Sequence, residues 1–204
     1  MMVIPEDLPR ELAPLGWMLG TWKGWGMLSV PDGEDIPVVE DVTADICGTQ
    51  MRLMTSISEG MSTEPLDPEL DAPEGLARLI PGDLLRQDTW YVRVLPGSGG
   101  PLPPPGEYEP RELMATSADM DGIATLWAGR SVGPRVQFIS DQVARDSMAQ
   151  DIRGASRMYG LVGGEMFWAQ ELVRGDADEQ STDLSGRLMR MDPMPDLGGE
   201  ASGD

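Results

Sequence analysis

Apolar and polar residues alternate along most of this chain in short runs with a period of two. The clearest case is Val42, Ala44 and Ile46, with Thr43 and Asp45 between them. That spacing puts one set of side chains on each face of an extended strand. Alternation is weaker in Met166, Trp168 and Leu172, because Phe167 and Ala169 intervene. Such runs, bounded by turn-forming residues, cover 22–30, 36–46, 51–59, 87–95, 112–118, 123–130, 134–144, 155–162, 165–173 and 183–191, which predicts ten strands. Gly163–Gly164 falls between two of them, as a two-residue hairpin with positive φ requires. Helical signals are few. Pro9 to Leu15 is one, since proline suits the first helical position, and Glu74 to Leu79 is another. Many short strands joined by turns, with few crossover helices, predict an all-β antiparallel sheet that closes or folds over itself.

The 25 glycines and 18 prolines concentrate in three places. Residues 62–83 are acidic and punctuated by proline. Residues 96–110 are too rich in proline to hold a sheet ladder, because proline lacks the amide hydrogen. Residues 192–204 are expected to form a flexible acidic tail. Each flank of the first two segments is too short to bury a core alone, so they read as loop insertions at about 60–84 and 96–110 within one domain, 1–191. The first is expected to be a solvated lid over the mouth of the sheet.

Charge narrows the partners. Lys and Arg total 15 against 35 for Asp and Glu, a formal charge of −20, which repels phosphate backbones and anionic lipid heads. Neither nucleic acid nor membrane insertion is expected. The start of the chain lacks a basic segment leading into a long apolar run, which gives a cytoplasmic expectation. Histidine is absent, which removes Ser–His and Cys–His dyads and every His-ligated metal or haem site. One cysteine, Cys47, excludes an intrachain disulfide and reads as a small buried residue or an inert thiol. Paired acids such as Asp119 and Asp121 fall in apparent turns and give no acid–base argument.

One motif adds specificity. Gly20-x-Trp22-x-Gly24-x-Gly26 follows the N-terminal helical segment and opens the first strand. Alternate glycines allow close packing at a tight barrel corner, and the tryptophan supplies a large apolar plug for a closed end. This resembles the nitrobindin family, haem-binding relatives of fatty-acid-binding proteins. Glu40-Asp41-Val42 followed by Gly48, Asp88-Thr89-Trp90-Tyr91-Val92-Arg93, the hairpin 156–172 and the strand 182–190 extend the likeness, with gaps, from Leu12 to Arg190. The resemblance implies a ten-stranded antiparallel β-barrel of lipocalin and fatty-acid-binding-protein type (calycin-like), with a short N-terminal helix.

It also implies a haem b ligand on the last strand, where the family carries a proximal histidine. The matching position here is Asp183, a hard anionic donor poorly suited to haem iron. No cofactor is therefore expected, nor the family's peroxynitrite isomerase activity. Alternation puts Ser185, Arg187 and Met189 on the face of Asp183, which the family geometry makes the inward one, so these three are candidate cavity-lining residues. Arg187 could anchor a ligand carboxylate, or it pairs with an acid such as Glu40 or Glu171, or the strand bends and exposes it. The leading expectation is a non-enzymatic carrier of a small apolar, amphipathic or fatty-acid-like molecule. The alternatives are a haem protein handling nitric oxide or peroxynitrite through a Met, Cys or Tyr ligand, and an interaction module without ligand. Two barrels could associate as a homodimer.

Overall fold

Ten antiparallel strands pair in the cyclic order β1-β10-β9-β8-β7-β6-β5-β4-β3-β2 and close a barrel in the computed structural model, which describes residues 8–31, 33–62, 64–97 and 108–191. The strands are β1 (Gly20–Leu28), β2 (Ile36–Cys47), β3 (Gln50–Met61), β4 (Ile80–Val94), β5 (Arg111–Asp119), β6 (Ile123–Ser131), β7 (Arg135–Arg145), β8 (Ile152–Val162), β9 (Glu165–Arg174) and β10 (Ser181–Arg190). Every run predicted as a strand is one. Closure comes from β1 pairing with β10 from Trp22↔Arg190 to Leu28↔Leu184. Joining the first strand to the last removes both sheet edges. Gly163 and Gly164, at φ 62° and 93°, make the tight turn between β8 and β9.

The N-terminal segment is a 3-10 helix, Arg10–Met18, rather than an α-helix, because Pro14 lies inside it and supplies no amide hydrogen. It plugs one end of the barrel with Leu12, Leu15, Trp17 and Met18, all buried. Trp22 completes the plug by donating from Nε1 to the Met18 carbonyl at 2.8 Å, under the Arg190 guanidinium 4.2 Å from its ring. Gly24 and Gly26 are needed at the β1–β10 seam. A Cβ on either would fall on the β10 backbone, at the Arg187 and Ser185 carbonyls respectively.

The acidic insertion does not cover the mouth. β3 continues to Met61 and β4 begins at Ile80, so the insertion is 62–79, and it folds down the outer wall as a strap around the short helix α1 (Ala72–Leu76). Asp71 caps α1 by accepting from the Glu74 amide at 2.8 Å. The strap covers an outward-facing apolar patch of Trp25, Val39 and Leu79, joined by Met27, Leu66, Leu70 and Leu76. That patch is why it docks on the wall: a tryptophan on the outer face of β1 would otherwise lie in water. Trp25 donates to the Asp71 carbonyl at 3.1 Å, and α1 lies so close that a Cβ on Gly75 would fall on the indole. The insertion expected at 96–110 falls largely, and the tail 192–204 wholly, outside the described residues. No helix among the described residues is long and apolar enough to cross a membrane.

Candidate functional site

The inward residues of the open end form one polar network. It is built from strands that are not neighbours in the sheet. On β4, Arg86, Asp88 and Trp90 project inward at steps of two, and Asp88 lies opposite Thr55 of β3 and opposite Asp119 of β5. On β8, Ala155, Arg157 and Tyr159 are inward and buried; on β9, Met166, Trp168, Gln170 and Leu172 are.

Arg157 is the centre. It is 5% exposed, with its guanidinium 4.6 Å from the Trp90 ring and 4.9 Å from the Trp168 ring. It donates to Asp88 Oδ2 at 2.7 Å, to Gln170 Oε1 at 2.8 Å from Nε and to the Tyr159 hydroxyl at 3.3 Å. A guanidinium in such a place survives because it is paired and hydrogen-bonded on every side and stacked on aromatic faces. Burial works against its charge, but Asp88 and Tyr159 outweigh burial and raise its pKa. Burial also pushes the Tyr159 hydroxyl up, to about 12.

Asp183 forms a second knot. It is fully buried, and Arg86 reaches it from β4 (Nη1 to Oδ2 2.5 Å, Nη2 to Oδ1 3.1 Å). Arg174 pairs with Oδ1, and Gln170 donates to Oδ2 at 2.9 Å. The register of β10 against β9 slips between Thr182 and Leu184. This bulge turns Asp183 inward beside Leu184 and reverses the alternation that follows. Leu184, Gly186 and Leu188 therefore point in, while Ser185, Arg187 and Met189 do not, which corrects the expectation that these three line the cavity. Arg187 lies on the outer wall, donating to Glu165 Oε2 at 2.5 Å and to the Leu70 carbonyl of the strap at 2.9 Å. It pairs with Glu165, not Glu40 or Glu171, and cannot anchor a ligand inside.

Glu40 of β2 is instead a third inward polar group. It is fully buried, and Trp168 Nε1 donates to its Oε2 at 2.6 Å. Gly26 and Gly186 face each other across the seam and vacate the space its carboxyl fills. Burial pushes the Glu40 carboxyl up to about 8, against the opposing pulls of the Trp168 hydrogen bond and the Arg157 charge. Cys47, at the β2 terminus, is exposed rather than buried.

These groups line or adjoin a cavity of about 70 Å³ at the open end, walled by Trp90, Trp127, Trp168, Arg86, Asp88 and Arg157 among others. Trp90 and Trp127 stack at 4.4 Å, and Trp127 donates to Ser117 Oγ at 2.9 Å. Among the described residues, three buried polar atoms of the β3–β4 wall have no hydrogen-bond partner: Thr55 Oγ1, Asp88 Oδ1 and Trp90 Nε1. Asp119, directly across the ladder from Asp88, accepts from the Asp121 and Ile123 amides. Burial, then the charges of Asp121 and Asp88, raise its pKa. Sequence reasoning missed Arg157, Gln170 and Asp88 as a set. The available signal was polar residues on otherwise apolar strand faces: Ala155-Arg157-Tyr159, and Trp168-Gln170-Leu172.

Comparison with known proteins places this geometry among relatives. The THAP4-like, heme-binding β-barrel domain matches residues 11–190. The ferric nitrobindin-like protein of Beutenbergia cavernae is 33% identical over 207 residues, covering 92% of this chain and 98% of that one. The peroxynitrite isomerase of Renibacterium salmoninarum is 31% identical over 184 residues, covering 83% and 84%. The crystal structure of Rv2717c from M. tuberculosis superposes with a TM-score of 0.65 at 18% identity, over 91% of this chain and all of that one, and shares the fold.

The domain description overturns the expectation that no cofactor goes with this barrel: haem is the group named for the domain. The donors present here do not fit an iron porphyrin as arranged. Both Asp183 oxygens are occupied by Arg86, Arg174 and Gln170. No Cys, Met or Tyr is among the described residues lining the cavity. Its 70 Å³ is far below the roughly 300–1,000 Å³ usual for a ligand of that class.

Proposed function

Because the chain belongs to the THAP4-like, heme-binding β-barrel domain family, we propose that it works as a small-ligand binder at the open end of its barrel. In this reading Asp183 stands where nitrobindins carry the haem-ligating histidine, and it acts by organising Arg86, Arg174 and Gln170 across the mouth. The ligand is a small amphipathic molecule and the role is that of a non-enzymatic carrier. One observation carries the reading: three buried polar atoms without partners, on residues that line a single cavity. Buried polar groups in folded proteins are satisfied by protein, water or ligand. Ile123, Trp127 and Ile152 add apolar surface to the lining of the same cavity, which suits the other half of an amphipathic molecule.

Native mass spectrometry of freshly purified protein, followed by haem titration of the same sample, tests this. The expected result is one small molecule retained per barrel. A ligand-free spectrum with one-to-one haem uptake and a Soret band replaces the reading with a haem protein using a ligand other than histidine. A ligand-free spectrum without haem uptake leaves an interaction module and overturns the reading equally.

A further inference from the structure

The cavity's hydrogen-bonding capacity is uneven, and that unevenness points to a class of ligand. Its cations are already paired with carboxylates. Both terminal nitrogens of Arg86 go to Asp183, and Arg157 is taken up by Asp88, Gln170 and Tyr159 with a tryptophan face on either side. The carboxylates are not all committed. Asp88 Oδ1 is buried without a partner, and Asp119 sits directly opposite Asp88 on the β4–β5 ladder with backbone amides on Oδ1 and no cation among the described residues. Like charges directly opposite on a ladder repel, and a positive group between them removes the penalty. Asp121, at the same rim, adds a third negative charge to the lining. Next to these acceptors stand two groups that can donate, Trp90 Nε1–H and the Thr55 hydroxyl, which is opposite Asp88 on the other side.

We propose that this site takes a small organic cation: a primary ammonium held between Asp88 and Asp119, with a hydrogen-bond acceptor on the neighbouring carbon facing Trp90 and Thr55. The inference rests on the small-ligand reading above and supplies its charge class. A metal ion does not answer the same need, because no cluster of three or more His, Cys, Asp or Glu among the described residues could hold one. A carboxylate placed there would meet the like charges of Asp88 Oδ1 and Asp119. A molecule of four or five non-hydrogen atoms matches a cavity of about 70 Å³. The formal charge of −20 concentrates cations around the protein before any contact is made.

The test uses three probes of nearly equal size on the full chain: ethanolammonium, glycolamide and glycolate. Calorimetry and tryptophan fluorescence are read at matched ionic strength. Ethanolammonium is expected to bind once per barrel, with glycolate weaker by about tenfold or more. Asp119→Asn keeps the Oδ1 acceptor for its own turn and removes the charge, so it lowers ethanolammonium affinity about tenfold without disturbing the Arg157 pairing. Thr55→Val weakens the same probe by a smaller factor, and a fourth, control compound, hydroxyl-free ethylammonium, is insensitive to that change. Binding of glycolate or glycolamide as tight as that of ethanolammonium overturns the inference and leaves the small-ligand reading standing. Failure of all three probes alongside a different co-purified molecule does the same. Failure of all three with nothing co-purified removes both.

Discussion

At the scale of single residues, Glu40 has the sharpest consequence. Its carboxyl fills the space left by Gly26 and Gly186 and, among the described residues, accepts from one donor, Trp168 Nε1 on Oε2, with none on Oε1. Arg157 and Tyr159 on β8 are the other titratable groups that act on it. With a folded pKa of about 8 against an ordinary 4.5, it binds its proton more tightly folded than unfolded. Its contribution is therefore fully present below pH 4.5 and is lost as pH rises toward 8, at up to about 1.4 kcal/mol per pH unit. Urea unfolding at pH 5, 6, 7 and 8 checks this. Glu40→Gln, which keeps an oxygen for Trp168 and cannot ionise, is expected to flatten the slope relative to the unmodified protein. Identical slopes for the two proteins would show that Glu40 ionises freely in the fold. The sequence offered Glu40 as part of a likeness, Glu40-Asp41-Val42, and as a candidate partner for Arg187, but not as a buried acid, because what makes it unusual is the pair of glycines brought to it by β1 and β10.

At the scale of elements, period-two patterning located the ten strands because each barrel strand has one buried and one outer face. It failed where the period was broken. The bulge at Asp183 shifts β10 by one position, so Ser185, Arg187 and Met189, one face by counting, are on the wall outside. A bulge leaves no mark in a run of apolar and polar letters. The strap was misplaced for a related reason: its docking partner, Trp25, is an apolar residue on the outward phase of β1, and composition registers only the acidic and proline-rich covering. Arg187 ties the strap to the barrel through the Leu70 carbonyl and Glu165, whose Oε1 accepts in turn from the Ala72 amide at 2.8 Å. Arg187→Met is expected to release this edge of the strap and leave the cavity unchanged. Limited proteolysis should then cut within 62–79 several times faster, while probe affinity at the barrel mouth stays as it was. A fall in affinity with unchanged cleavage would return Arg187 to the cavity.

At the scale of the whole molecule, the barrel's wide end is held together by ties across its interior. β4 and β10 are separated in the cyclic order by β1, β2 and β3, yet Arg86 and Asp183 join them directly. Arg157 and Asp88 join β8 to β4 across the other arc, and Glu40 and Trp168 join β2 to β9. Nothing in a linear sequence announces such pairings, since the partners are 97, 69 and 128 residues apart. Arg86, at one end of the first tie, also lines the cavity together with Trp90, Trp127 and Trp168. Arg86→Met and Asp183→Ala should therefore behave differently, although each removes the same bridge. With Arg86 gone, Asp183 keeps Arg174 and Gln170, so the loss is about 1.5–3 kcal/mol for the charged hydrogen bonds alone. With Asp183 gone, two guanidiniums are left facing each other near a buried position, and the loss rises to about 3–5 kcal/mol. Both variants open the mouth. Acrylamide quenching of the cavity tryptophans, Trp90, Trp127 and Trp168, is accordingly expected to increase in each, while only Asp183→Ala shows the larger drop in urea midpoint. Equal midpoints would mean that the arginines find other partners, and unchanged quenching would mean that the bridge does not guard the entrance.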